Sequence, residues 1–406
     1  MKIRSITCFC NPLAENFQES LKNLSKFLDE LISALGDEGW EVQTTRLATT
    51  PFGYFANGKT RIKQIQELED LASQFGFTYL SVGPARLLHQ DEYDEVTDIL
   101  AGTQNVFLSA PLTHPQKGIS TRAIQDCARI IKKSAMITPD GFTNLRFCAT
   151  SQVKPFTPFF PASYSYGADL AFAFAMECAD AAVNAFGEAT SLADGRRKLV
   201  ETLNDAAAEI EKIALLISRP YDIEFKGFDF SPAPFPEEWC SVGKALESLG
   251  VSQLGSMGSL AAAAILMDTL DQGRWRRTGF NGLMLPVLED STLAFRSETG
   301  VFSVKDLLMY SSVCGTGLDT VPLPGDISEQ RIEGLLMDIA ALSLRLGKPL
   351  TARLMPVPGM KSGEKTTFDF SFFRNGGVMD FPAGEISGLL KKADWIEINK
   401  RANQSM

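Results

Sequence analysis

Histidine is nearly missing from this chain: His89 and His114 are the only two in 406 residues. Neither stands at metal-ligand spacing from another histidine or a cysteine, so no zinc site is written into the sequence. Cysteine is sparse too. Its seven positions, Cys8, Cys10, Cys127, Cys148, Cys178, Cys240 and Cys314, are odd in number and scattered through apolar runs. That argues against a disulfide framework and fits reduced thiols in a cytoplasm. Excess positive charge is absent, the net charge being -10. A surface of that sign repels nucleic acid and anionic membranes, which excludes both as general partners. The longest apolar run, ending at Met267, is far too short to span a bilayer, and Met1 to Thr7 alternates like a strand instead of forming a signal-peptide core. No nucleotide fingerprint is present. Leu254-Gly255-Ser256-Met257-Gly258-Ser259 lacks the lysine of a phosphate-binding loop and the full GxGxxG spacing, so an N-cap turn is its default use.

What remains is the composition of a globular protein, with 45% hydrophobic and 22% charged residues, enough to bury a large core. Strand-like and helical runs alternate from the start. Ile3 to Phe9, Trp40 to Leu47, Tyr79 to Gly83, Val106 to Ala110 and Leu145 to Thr150 read as strands. Helices are expected at Glu15 to Leu35, Ile62 to Phe75, Tyr93 to Leu100 and Thr121 to Ala135. This is the βαβ pattern of a mostly parallel sheet with helices outside it. Ala168 to Phe186 reads as a buried strand running into a helix, and Leu192 to Ser218 as a long outer helix in an excursion spanning about 187–219. Further strands are expected at Ile223 to Phe228, Gly282 to Pro286 and Leu350 to Val357. Ser328 to Leu346 reads as a helix capped by Ser328 and ended by Gly347. The tail after Lys391 is expected to end in a frayed helix. About ten strands result, with no clean domain boundary across 1–406.

One stretch concentrates chemistry: Cys314-Gly315-Thr316-Gly317-Leu318-Asp319-Thr320, closed by Val321-Pro322-Leu323-Pro324-Gly325. A thiol, two hydroxyls and a carboxylate sit among glycines that let the backbone turn and approach a ligand. A thiolate at Cys314 gains stability from nearby N–H groups, and those of Gly315 and Gly317 also suit a developing oxyanion. Packing as a small buried hydrophobe is the ordinary alternative for such a cysteine. Thr316 and Thr320 add hydroxyl contacts. His114, following the Val106 to Ala110 strand, is the better of the two histidines to serve as base. Ser120 and Thr121 follow it in a segment suited to a pocket wall. Glu289, Asp290 and Asp319 form a potential carboxylate rim, able to act as acid and base or to hold Mg²⁺ or Ca²⁺, with Asp290 and Asp319 as the metal candidates. Asp290 equally suits the N-cap of a helix starting at Ser291. Arg353, in an apolar strand, calls for a carboxylate partner or an anionic ligand.

Three runs carry a resemblance to a known family. They are Gly282-Leu-Met-Leu-Pro-Val-Leu-Glu-Asp-Ser291, the stretch from Leu308 through Cys314 to Gly325, and Lys348-Pro-Leu-Thr-Ala-Arg-Leu-Met-Pro-Val-Pro-Gly359. Together with Phe159-Phe160-Pro161-Ala162, Ala171-Phe172-Ala173 and Glu177-x-Ala179-Asp180, they resemble the DUF711 family, also called UPF0210, over essentially the full length. The family is uncharacterised in function. The resemblance implies a ten-stranded α/β barrel of the pyruvate formate-lyase type, with helices outside, a cysteine-bearing loop inserted in the barrel, and a homodimer. The glycyl-radical chemistry of such barrels is not implied, because Arg374-Asn375-Gly376-Gly377-Val378 lacks the valine and the aromatic of that motif. The sequence reading is therefore a cytoplasmic, single-domain α/β barrel enzyme acting on a small molecule, by thiol-dependent acyl transfer or hydrolysis at Cys314. The alternatives are a carboxylate-bound divalent metal enzyme and a non-catalytic small-molecule binding or regulatory protein.

Overall fold

The computed structural model describes residues 1–401 except positions 168, 314 and 383. Cys314 thus lies outside the described residues. In chain order the strands are β1 (Lys2–Cys10), β2 (Thr45–Thr49), β3 (Tyr79–Pro84), β4 (Val106–Pro111), β5 (Thr113–His114), β6 (Gly118–Ser120), β7 (Phe147–Ser151), β8 (Ala171–Glu177), β9 (Glu224–Ala233), β10 (Gly317–Pro324), β11 (Leu350–Val357) and β12 (Trp395–Ile396). Nine of them form one sheet in the order β10-β11-β7-β4-β3-β2-β1-β8-β9. The five central strands, β7 to β1 in that order, are mutually parallel. The two flanking pairs are each internally parallel but run antiparallel to the centre, β8 against β1 and β11 against β7.

The two faces of this sheet differ in chemistry, and strand alternation explains how. On β8 the sequence Ala-Phe-Ala-Phe-Ala-Met sends Phe172, Phe174 and Met176 to the main apolar cluster, which also takes Ile6, Leu47, Leu80, Leu108, Phe228 and Leu354. Helices cover that side. They include α1 (Phe17–Asp37), α2 (Lys59–Gln74), α3 (Gln90–Gly102), α4 (Thr121–Ser134), α5 (Ala179–Gly187), α6 (Leu192–Ser218), α7 (Val242–Ser248) and α8 (Ser259–Asp271), followed by α9 (Ser291–Glu298), α10 (Val304–Tyr310) and α11 (Glu329–Leu346). Ser328 caps α11 and Gly347, in the left-handed region, ends it. The other face presents Arg46, Tyr79, Phe107, Ala175, Asp229 and Arg353.

The sheet is strongly curved. Arg4 on β1 and Arg353 on β11 are five steps apart in the strand order. On a flat sheet that would be about 24 Å at a spacing of roughly 4.8 Å per strand. Both nonetheless pair with the single carboxylate of Glu289.

Two expectations differ from the structure. Gly282 to Pro286 is not a regular strand. The ribbon containing it makes one parallel bridge to each edge of the sheet, Arg277 to Phe228 on β9 and Pro286 to Asp319 on β10. Its backbone N–H groups go instead to side chains of neighbouring elements, those of Phe280 and Asn281 to Asp229 and that of Gly282 to the Ser231 hydroxyl. Nor do the described residues after Lys392 form a helix. After the short helix α12 (Gly388–Lys392), β12 pairs with β6, giving a small three-stranded sheet β12-β6-β5. No helix among the described residues is long and apolar enough to cross a membrane.

Candidate functional site

The inner face of the curved sheet borders a partly open cavity of about 90 Å³, lined by polar and aromatic side chains from β1, β2, β3, β4, β8, β9 and β11. Ala175 on β8 helps to make the space, since a longer side chain there would project into it. Five charged side chains face it: Arg4, Arg46, Arg353, Glu289 and Asp229.

Four of these are fully engaged. The Arg353 guanidinium donates from Nε to Asp319 Oδ1 at 2.5 Å and from one terminal nitrogen to Glu289 Oε1 at 2.8 Å. Its other terminal nitrogen reaches the Leu145 carbonyl at 3.5 Å, and the group lies 5.5 Å from the Phe159 ring centroid. Burial alone would lower the Arg353 pKa, but the Asp319 and Glu289 carboxylates overcome it and hold the pKa above the usual arginine range. Arg4 pairs with the second oxygen of Glu289, donates to the Pro234 carbonyl at 3.0 Å, and stands 3.5 Å from Glu177. Burial raises the Glu177 pKa despite a 2.6 Å hydrogen bond from Gln43 Nε2. Asp229 accepts from the backbone N–H of Ser231, Phe280 and Asn281 and from the Ser231 hydroxyl, at 2.6–3.0 Å. Gly279 leaves room for it, because a Cβ there would meet the carboxylate at 2.2 Å. Burial still pushes the Asp229 pKa up. Asp229 thereby ties the ribbon after Arg277 to β9.

Arg46 is the exception. Its Nε donates to Thr44 Oγ1 at 3.1 Å, but among the described residues it has no carboxylate partner and no hydrogen bond from either terminal nitrogen. The Phe160 and Tyr79 rings flank it at 5.2 and 5.9 Å. Burial, helped by the Arg4 charge, lowers its pKa to about 9.

Asp319 stands one layer back, behind Arg353. It is held there by an irregularity in β10 between Leu318 and Val321, where Thr320 takes a φ of 39°. That is a strained conformation for a β-branched residue. Asp319 Oδ2 is buried and has no partner, and burial followed by the neighbouring Glu289 charge raises its pKa against the pull of Arg353.

A family model described as Uncharacterised ACR (DUF711) matches residues 1–374. The chain belongs to the DUF711 family. It is similar to a UPF0210 protein of Methanopyrus kandleri, 28% identical over 395 residues, covering 90% of this chain and 84% of that one. A UPF0210 protein of Pyrobaculum aerophilum is 28% identical over 371 residues, covering 87% and 81%, and one of Clostridium perfringens is 25% identical over 406 residues, covering 91% and 88%. Every residue lining the cavity of this DUF711 chain falls within the matched span.

The residues singled out in the sequence are distributed over several places. Glu289, Asp319 and Arg353 come together in one buried ion-pair network. Asp290 turns away from it: its carboxylate caps α9 at the N–H groups of Thr292 and Leu293 and accepts from Ser241 Oγ and the Gly243 N–H. Of the three acidic residues, then, only Glu289 and Asp319 meet, and Arg353 occupies the space between them. This donor set suits a cation of the guanidinium type and does not fit Mg²⁺ or Ca²⁺, which need more oxygen ligands. No group of three or more potential metal ligands occurs among the described residues.

The glycines around position 314 meet protein backbone. A Cβ on Gly315 would stand 2.8 Å from Gly282 Cα, and one on Gly317 would stand 2.3 Å from the Thr351 carbonyl oxygen. Thr316 donates to the Leu283 carbonyl and Thr320 accepts from the Leu288 N–H. His114 lies in the small sheet against Trp395, with Nδ1 accepting from the Gln116 N–H. Ser120 caps α4, and the Thr121 hydroxyl donates to the carbonyls of Ala393 and Asp394 in the C-terminal segment.

Arg4, Arg46 and Asp229 escaped the sequence reading. The available signal was a lone charge inside an apolar alternation, as in Ile3-Arg4-Ser5-Ile6, Thr45-Arg46-Leu47 and Phe228-Asp229-Phe230.

Proposed function

We propose that this cavity is a small-molecule site and that the protein acts chemically on its occupant, with Glu289 as the carboxylate in reach of it. The observation that carries the reading is the convergence of charged groups from both ends of the strand order on one cavity. Charged side chains are not gathered in a sheet interior for stability, because removing them from water is expensive even when they are paired. We infer further that the ribbon 276–288 closes the sheet into a ring between β9 and β10, which keeps bulk water out and strengthens electrostatic interactions within. Glu289 suits proton transfer because two arginines fix its orientation while it borders the void.

Native mass spectrometry of gently purified protein should show a small copurifying molecule. Its loss in Ala175→Phe, which fills the void, supports the site; retention of the molecule by that variant places the ligand elsewhere. Glu289→Gln should keep the ligand and stop its turnover in a metabolite mixture followed by mass spectrometry. Equal turnover by that variant removes Glu289 from the chemistry, and binding without turnover by the wild type reduces the protein to a binding protein.

A second reading keeps the thiol chemistry and rests on elimination. The six described cysteines are all buried and burial raises the thiol pKa of each, to about 12 for Cys10 and Cys240. A reactive thiolate in this chain would therefore be Cys314.

A further inference from the structure

Resting on the reading of the cavity as a small-molecule site, we propose that its occupant is a small organic monocarboxylate whose carboxylate is gripped by the two terminal nitrogens of Arg46. The contrast among the three arginines carries this. Arg4 and Arg353 have carboxylate partners and spend their terminal nitrogens on Glu289 and on backbone carbonyls. Arg46 spends only its Nε, on a threonine hydroxyl, and borders the same cavity. A guanidinium set among aromatic rings with its fork unfilled is arranged for a planar two-oxygen anion, which it binds through two parallel charge-assisted hydrogen bonds.

The number of charges selects the class. One unneutralised cation matches one negative charge, and a second charge on the ligand would enter the cavity without a partner, so a carboxylate suits the site better than a doubly charged phosphate. The rest of the wall selects the remainder of the molecule. Tyr79, Phe107, Phe159, Phe160 and Met284 border the space, so the body beyond the carboxylate is apolar and compact. The Arg46 side chain is itself fixed before any ligand arrives, by Thr44 on one side and the Phe160 and Tyr79 rings on the others. Little ordering is left to oppose binding.

The test is isothermal titration of propionate, benzoate and phenylacetate against their carboxamides and phenyl phosphate, with wild type and Arg46→Gln, folding being checked by circular dichroism. At least one acid should bind at least about tenfold more tightly than its amide. Arg46→Gln should weaken that acid by about ten- to a hundredfold and leave the amide unchanged. Equal affinity for acid and amide, or an acid affinity untouched by the substitution, overturns the anion assignment while leaving the cavity reading intact. Tighter binding of phenyl phosphate than of every acid overturns the carboxylate assignment. No binding by any acid or amide overturns the cavity reading itself.

Discussion

Arg46 and Arg353 border one cavity, yet among the described residues Arg353 is held by two carboxylates and Arg46 by none. The two should therefore respond in opposite ways to the same substitution. Arg353→Met leaves Asp319 and Glu289 buried beside a lost cation and should lower unfolding stability by about 3–5 kcal/mol. Arg46→Met removes a charge that nothing neutralises, so its stability should stay within about 1 kcal/mol of wild type or rise. Urea unfolding midpoints decide the matter. Equal losses in both variants would mean that Arg46 has a partner in solution.

The glycine stretch was legible as a special place in the chain, and the structure adds a packing use that the residues alone did not show. Sequence shows that glycine is present; only tertiary contact shows what the missing Cβ makes room for. At Gly282 and Gly315 it is the other glycine, since a Cβ on Gly282 would come within 2.4 Å of Gly315 Cα. Gly282→Ala or Gly315→Ala should thus destabilise the fold by about 1–3 kcal/mol or more through overpacking. Thermal unfolding of each variant checks this. A variant as stable as wild type would show that the ribbon and β10 do not pack as closely as described.

Strand alternation and helix caps made much of the architecture readable in advance. Leu192–Ser218 and Leu350–Val357 run between the expected residues, and Ser328 and Gly347 bound α11 as their chemistry requires. Such elements depend on local periodicity and backbone preference, which a sequence carries. The site does not. Glu289 draws its meaning from Arg4 and Arg353, 285 and 64 residues away in the chain, and curvature of the sheet alone brings them together. Asp290, its neighbour in sequence, faces the opposite way and caps a helix. The β5 and β6 strands were missed because they are only two and three residues long, and the second is completed by β12 from the far end of the chain.

Asp229 gives a pH dependence with a definite sign. Burial raises its folded pKa above the ordinary 3.8, in spite of four donated hydrogen bonds. A carboxyl with a raised folded pKa contributes most to stability when protonated, below its unfolded value, and that contribution is lost as pH rises through the folded value. The amide introduced by Asp229→Asn does not titrate. The stability of wild type relative to that variant should accordingly fall as pH climbs from about 4 and level off once the folded pKa is passed. Urea unfolding of both proteins across that range is the measurement. A difference that grows with pH would mean that the donors at Ser231, Phe280 and Asn281 outweigh burial.

The thiol reading stands or falls on stoichiometry. Each of the six described cysteines is buried beneath helices or within the sheet, and burial keeps its thiol protonated. Native protein exposed to iodoacetamide should therefore take up one equivalent, at Cys314, with none in Cys314→Ala. The pH profile of that reaction carries the mechanistic information. Half-maximal labelling well below the ordinary thiol pKa of about 8.5 would identify a stabilised thiolate and support acyl transfer or hydrolysis. An ordinary profile would make Cys314 an accessible thiol without a role in catalysis. Absence of labelling would eliminate thiol catalysis from this protein and leave Glu289 with the chemistry. Uptake of further equivalents on the same timescale would instead report opening of the fold, since each of the six described thiols is buried while the fold stays packed.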